Sequence, residues 1–438
     1  MLRCVLEYEH DVWRHYGFRR NPLDPVPLEA TLEERPLLVG RDDELRRLLT
    51  LASNRHGIVL VEGNIGVGKT SLVNAAQYDL GLARFLSARR TIEVAETTEP
   101  AGLLLSALSN LVYSLEAERG RDFCTKIPAL KEGKRLVDLT VETGWGGQLS
   151  AFGTGGGFQT EKAVVQPQAF QLSAITQKFD LFLDEAVKRG YLAGVVAVNN
   201  FDRLDDAQIV ELMNRSRDTV LLRPNVLWIL VGAVGRFNLL EARARRVSEV
   251  ITGQPVVVRP LPLEKVHEAI RMRIQKFGKK GAKLPIDDEF VNLLYTISGG
   301  EIRFIFKRLS DVVYEVATGL PSVDHISGEL AMNTLRRIIE RRLDALPLTE
   351  RDRRLLTKAA SHGPFRLKDC RQLGFSSSQA LYSRVKRLVG MSLLQPEHAF
   401  GRRSTVYRTA ADVNILFGAA KTFKKQGEDK NLKEDKTV

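Results

Sequence analysis

The stretch GNIGVGKTS, residues 63–71, constrains this chain more than any other. Gly63, Gly66, Gly68, Lys69 and Thr70 fit the spacing G-x-x-x-x-G-K-[ST], with the apolar run GIVLVE before it and a helical pattern after it. Such a loop turns backbone N–H groups inward around phosphate oxygens, while Lys69 reaches the β and γ phosphates and the Thr70 hydroxyl is offered to Mg²⁺. Gly63, Asn64, Ile65, Gly66, Val67, Gly68, Lys69, Thr70 and Ser71 are therefore the candidate cradle for ATP or ADP. A chance glycine turn would lack the ordered flanks on both sides.

Around this loop, strand and helix patterns alternate. LVGRDDELRRLLTLA has helical spacing after Asp42–Asp43 as cap residues, and a strand is expected at Thr91–Ala95. Pro100 opens a helix with Leu104, Leu108, Leu111 and Leu115 on its apolar face. A helix over Gln168–Arg189, the apolar strand YLAGVVAV, a helix near Asp205–Leu222 and the strand NVLWILVGAV follow. Nearly continuous apolar strands between helices predict a parallel sheet covered on both faces, an α/β three-layer fold. Thr143–Gln159 interrupts the rhythm with seven glycines around QLSAF, which suggests an exposed hairpin or loop.

A phosphate loop needs a second strand ending in acid near the magnesium. GVVAVNNFDRLDD supplies the strand, yet Asn199 and Asn200 stand where Asp and Glu would serve. Asparagine is neutral and cannot take a proton from attacking water, so slow hydrolysis is expected. Asp202, two residues on, is a candidate metal-site substitute beside Thr70, or equally a helix-starting cap.

LVGRDDEL, GNIGVGKTS, VVAVNNFDRL and ISGGEIRFIFKRL occur in the order found in the AAA+ ATPases, and residues 35–410 resemble their origin-recognition and cell-division-control initiator branch. That resemblance implies that Val39, Gly40 and Arg41 lie near adenine and that Arg303 of SGGEIR touches the γ-phosphate. It also implies an arginine finger for a neighbouring subunit, for which Arg243, Arg245 and Arg246 are candidates, and hence a homo-oligomer. A polar γ-phosphate sensor should end the strand Val226–Val234, where only Asn238 is near.

The net charge of +12 is concentrated: Arg341–Ala410 holds 15 Lys/Arg against 5 Asp/Glu. Such an excess favours a polyanion partner. LTERDRRLLTKAA and FRLKDCRQLGF read as two helices, SSSQALYSRVKRLVGMSLL as a third with a serine cap, and FGRRSTVYRTA as a turn-linked strand pair. The pattern is similar to a winged helix-turn-helix, which also follows the lid in the initiator ATPases. Leu381, Val385 and Leu388 would face its core, with Gln379, Ser383, Lys386 and Arg387 outward and Arg402 and Arg403 at the wing tip, for double-stranded DNA.

Five segments are expected: a lead-in 1–34, the ATPase domain 35–255 with its glycine-rich insertion 143–159, a helical lid 256–345, a winged helix 346–415 and a charged tail 416–438. No apolar run reaches the roughly 18 residues of a membrane span. The N-terminus lacks a signal-peptide pattern, and the odd number of cysteines, three, argues against a disulfide framework, so a cytoplasmic location is expected. The function expected is ATP-controlled self-association and DNA engagement. The alternatives are a signalling or defence switch acting on a partner effector, or a target-selecting ATPase working with a replication or transposition protein.

Overall fold

The computed structural model of the chain describes residues 12–142, 172–320, 323–397 and 405–418. The expected hairpin at 143–159, the wing-tip Arg402 and Arg403, and the tail beyond Gly418 lie outside them. The chain divides into two compact units, Val26–Arg259 and the stretch from Pro260 onward joined by the N-terminal residues up to Pro25.

The unit Val26–Arg259 is a six-stranded, all-parallel sheet. In chain order it runs α1 (Asp42–Ala52), β1 (Gly57–Gly63), α2 (Lys69–Leu82), β2 (Leu86–Ser87), β3 (Ile92–Glu93), α3 (Pro100–Arg119), α4 (Pro128–Glu142), α5 (Leu172–Lys188), β4 (Gly194–Asn199), α6 (Asp206–Ser216), β5 (Val226–Gly232), α7 (Arg236–Arg243) and β6 (Val256–Val258). The strand order is β2-β4-β5-β1-β6, with β3 also paired to β4, so β1 and its loop sit centrally. Strand alternation divides the apolar residues between two cores. Ile58, Leu60, Val196, Val198, Trp228 and Leu230 pack toward α3 and α5. Val59, Val61, Val195, Ala197, Leu227 and Ile229 pack toward α1 and α2. Both faces are covered, which is why these strands read as unbroken apolar runs and why the fold is a three-layer α/β sandwich. Each fully buried aliphatic side chain contributes about 1.5–3 kcal/mol, so the sheet is a rigid platform for the loops at its edge.

Some local expectations change. Asp42 and Asp43 lie in the first turn of α1 with Arg41 as its N-cap, where acids favour the helix dipole. The helix expected over Asp205–Leu222 is regular only to Ser216 and continues as a wider turn, Arg217–Leu221. Asp205 caps it reciprocally with Gln208.

The second unit contains α8 (Leu263–Phe277), α9 (Asp288–Ser298), α10 (Ile302–Gly319), α11 (Gly328–Asp344), α12 (Glu350–His362), α13 (Ser378–Gly390) and an antiparallel pair, β7 (Leu394–Glu397) with β8 (Val406–Thr409). The lead-in expected at 1–34 is divided between the units. Trp13 meets Tyr314 of α10 edge-on at 6.0 Å, and Asn21 Nδ2 donates to Ser310 Oγ at 2.9 Å. Leu28 instead donates its N–H to Ser71 Oγ at 3.1 Å, and Arg35 grips Asp79 on α2 at 2.9 Å. Trp13 and, within HYGFRRNPLD, Phe18 are thus core residues, 1% and 0% exposed.

The helix expected from FRLKDCRQLGF is only a single tight turn, Leu367–Asp369, followed by further turns. Asp369 bonds back to the Arg366 N–H at 2.7 Å, and Gly374 stops the segment at φ 85°. The first strand of the pair comes from LQPE, ahead of the segment expected. Residues 416–418 belong to a helical turn, Asn414–Gly418, in which Ile415 is buried.

Candidate functional site

Strand β1 delivers Gly63, and α2 begins at Lys69, so the intervening residues form a tight loop over a helix N-terminus. Gly63 cannot be replaced without movement, because a Cβ there would lie 2.6 Å from the Val258 carbonyl oxygen. Gly68 caps α2 at φ 96°, a backbone conformation that favours glycine. Lys69 is 8% exposed, and its Nζ donates to the Gly63 and Asn64 carbonyls at 2.7 and 3.0 Å. Asn64 and Ile65 are exposed at the loop tip, whereas Gly66 and Val67 are buried.

Asn199, at the end of β4, donates from Nδ2 to Thr70 Oγ at 3.2 Å. The strand order therefore brings the neutral amide to the hydroxyl expected at magnesium. Asn200 follows in the left-handed region at φ 66°, and Asp202 lies in the one-turn helix Phe201–Arg203. Thr70 Oγ and the Asn199 amide suit a Mg²⁺ ion held mostly by phosphate and water, a common arrangement for this hard cation. Among the described residues no group of three His, Cys, Asp or Glu side chains could hold a metal.

Two carboxylates near the loop were not singled out in the sequence. Glu93 of β3 stands in register beside Asn199 and pairs with Arg203 at 3.7 Å. Glu62, immediately before Gly63, is 2% exposed and accepts the N–H groups of Gly235 and Phe237 at 3.1 and 2.5 Å. Burial raises its pKa above the ordinary value, against those N–H groups and Arg236, which lower it. Glu62 thus ties the start of α7 to the start of the phosphate loop. A charged residue ending an otherwise apolar strand, GIVLVE, was the available signal.

Arg41, expected near adenine, is 4% exposed and braces the loop: its guanidinium donates to the Val67 carbonyl at 2.7 Å and to Glu44 at 2.9 Å. Desolvation lowers its pKa, and Glu44 raises it. Val39 is buried beside it, and Gly40 turns the chain at φ 66°. Ser71, placed in the cradle, spends its hydroxyl on Leu28.

The three finger candidates are exposed. Arg245 pairs with Glu249 at 3.0 Å, and Arg246 with Asp218 at 3.9 Å. Arg243 has no ion-pair partner among the described residues. Asn238 is half-buried on α7.

Residues 37–229 match the family model described as AAA ATPase domain. Within the matched residues lie the loop, Asn199, Asn200 and Glu62. No curated protein matches the chain. Among solved structures, it is similar to the ORC2 protein of Aeropyrum pernix in ADPNP–ADP complexes at 12% identity, covering 94% of this chain and 100% of that one with a TM-score of 0.48. It is similar to the ORC1 protein of the same organism in complex with DNA at 14% identity, 94% and 99% coverage and TM-score 0.44. Cdc6p from Pyrobaculum aerophilum gives 12% identity, 93% and 98% coverage and TM-score 0.39.

Arg303 lies in the other unit, exposed in the first turn of α10. The preceding glycines form the turn: Gly299 caps α9 at φ 67°, and a Cβ on Gly300 would lie 3.0 Å from Pro260. Burial, aided by Asp412, raises the half-buried Glu301 to about 7, against the opposing Arg303 and Arg308. One turn further along, Arg308 is 7% exposed and donates from Nε to Asp412 Oδ1 at 2.9 Å. Arg342 of α11 meets the other oxygen of Asp412 at 2.5 Å.

On α13, Leu381, Val385 and Leu388 are buried at 0, 1 and 0% exposure, and Gln379, Ser383 and Lys386 are exposed. Ser377 caps the helix through the Ala380 N–H. Arg387 departs from expectation. It turns toward Asp352, which is fully buried, at 3.4 Å and donates to the Pro347 carbonyl, because an enclosed carboxylate requires a counter-charge. Arg384 supplies the second cation at 3.2 Å, and Tyr382 is exposed on the outward face at 44%.

Proposed function

We propose that the chain is an ATP-binding AAA+ switch whose nucleotide state controls its self-association and its grip on double-stranded DNA, with slow hydrolysis. ATP would be held by the backbone N–H groups of loop 63–71 and by Lys69, and Thr70 would offer its hydroxyl to a Mg²⁺ ion that would neutralise phosphate charge. Asn199 orients that hydroxyl but takes no proton, so the bound state outlasts what an acidic pair would allow. The segment α12–α13–β7–β8 acts as a winged helix-turn-helix, presenting Gln379, Ser383 and Lys386 to a groove. Arg402 and Arg403 are proposed as wing-tip contacts and Arg243 as the arginine finger toward a neighbouring copy.

One observation carries this reading. Arg303, which would touch the γ-phosphate, starts the same helix whose Arg308 is ion-paired to Asp412, just beyond β8. A displacement of α10 by nucleotide is thereby delivered to the proposed DNA-binding module. A neutral Asn199 also suits a signalling switch acting on an effector, for which a long-lived ATP state is equally useful.

Duplex binding and assembly state, measured on the whole chain without nucleotide, with ADP and with ATP, test the proposal. ATP should change both, and Lys69→Ala should abolish the change by removing the phosphate-reaching cation. Duplex affinity indifferent to nucleotide, or retained ATP binding in Lys69→Ala, would sink it. An assembly that responds to ATP but never engages DNA moves the effector switch to first place.

A further inference from the structure

A second concentration of positive charge lies away from α13, where the N-terminal stretch meets the end of α8. The residues RHYGFRR, 14–20, contain no acid, and neither do RMRIQKFGKKGAKL, 271–284. The two segments are held together through the backbone. Phe18 and Gly278 form an antiparallel bridge, Arg19 N–H donates to the Phe277 carbonyl at 2.8 Å, and Lys279 N–H donates to the Gly17 carbonyl at 2.8 Å. The Arg19 guanidinium reaches the Lys276 carbonyl at 3.0 Å, and Arg20 stacks over Phe277 at 4.0 Å.

Arg19, Lys276, Lys279, Lys280 and Lys283 are all exposed, and among the described residues none forms an ion pair. The helix C-terminus of α8 accounts for one favourable cation there. It does not account for Lys279, Lys280 and Lys283, which lie past the helix, nor for arginines brought in from more than 250 residues away in sequence. Like charges brought this close repel, so the arrangement is relieved by an extended anion. Compact cations with three donors each suit phosphate oxygens read as charge rather than as sequence.

We infer that Arg19 with Lys276, Lys279, Lys280 and Lys283 forms a second contact for the phosphate backbone of duplex DNA, separate from α13. This rests on the DNA-binding reading above and extends it: α13 would read the duplex, and this surface would hold its backbone. The two lie in one compact unit.

The test compares three variants of the full chain. In the first, Lys279→Glu, Lys280→Glu and Lys283→Glu reverse the new surface. In the second, Lys386→Glu with Gln379→Ala alters α13. In the third, Lys126→Glu, Lys131→Glu and Lys188→Glu reverse three exposed lysines of the ATPase unit as a charge control. Binding of a duplex of about 30 base pairs is followed against salt. Losing two to three phosphate contacts should make the log–log slope shallower by about 2–3 and lower affinity at least tenfold near 0.1 M salt. The charge control should stay within about threefold of the native chain, since screened distant charges matter little. A first variant that binds as the native chain does, while the α13 variant fails, overturns the second contact and leaves the DNA reading standing. Equal loss in the first and control variants also overturns it, as a bulk-charge effect. A native chain that binds no duplex overturns both.

Discussion

Asn199 donates a hydrogen bond to Thr70 Oγ across 3.2 Å, joining the end of β4 to the first turn of α2. A carboxylate at that position would hold a magnesium-bound water, whereas the amide contributes only a dipole. Replacing Asn199→Asp and Asn200→Glu together should therefore raise ATP turnover at least tenfold, the general base alone being worth roughly 10²–10⁴-fold. Single-turnover kinetics would measure it. Fast native turnover that disappears in Glu93→Gln would instead mark the register neighbour of Asn199 as the working base.

Asp412 is 6% exposed and is met by Arg308 and Arg342. Asp412→Ala should destabilise its unit by about 3 kcal/mol, since removing one member of a buried ion cluster leaves an uncompensated charge. Asp311, 2.8 Å from Arg308, softens the loss. Hydrogen exchange should rise in α10 and in Ala411–Val413 together. Faster exchange at Ala411–Val413 alone would show that α10 is not coupled to the segment after β8.

What the sequence disclosed follows periodicity and local chemistry. The central strands, α3 from Pro100 and the buried face of α13 were legible because apolar spacing reports burial directly. Arg41, Arg387 and Glu62 were not legible, because a charged letter does not say whether its partner lies 26, 35 or 175 residues away. The same applies to Trp13 and Phe18: the stretch reads as a lead-in until α8 and α10 supply its core. The helix at FRLKDCRQLGF starts, with Asp369 accepting the Arg366 N–H, but does not propagate beyond one turn, and Gly374 then takes a left-handed φ of 85°.

Glu301 provides a pH test. Its pKa is raised from 4.5 to about 7, so the folded state binds its proton more tightly than the unfolded chain does. Its contribution is fully present below pH 4.5 and is lost as pH rises toward about 7, at no more than about 1.4 kcal/mol per pH unit. Glu301→Gln, which cannot ionise, should flatten stability over that window and exceed the native protein near pH 8. Parallel stability profiles for the two proteins would remove Glu301 from the account.

Glu62 is the last case, and it separates positioning from chemistry. Its two oxygens accept N–H groups at the start of α7, a helix terminus whose partial positive charge favours a carboxylate. Glu62→Gln preserves shape but offers one acceptor oxygen where two donors converge, and its amide N–H₂ would face the second donor. The cost should be about 1–3 kcal/mol, the usual penalty for a buried polar group left without its partner. Because Gly63 follows directly, the disturbance should also reach the phosphate loop. ATP affinity should fall severalfold, with α7 exchanging its amide protons faster. Glu62→Asp, which retains both oxygens on a shorter stem, should recover part of the affinity. Weaker ATP binding without any change in α7 exchange would mean that Glu62 acts on the loop alone and does not anchor α7.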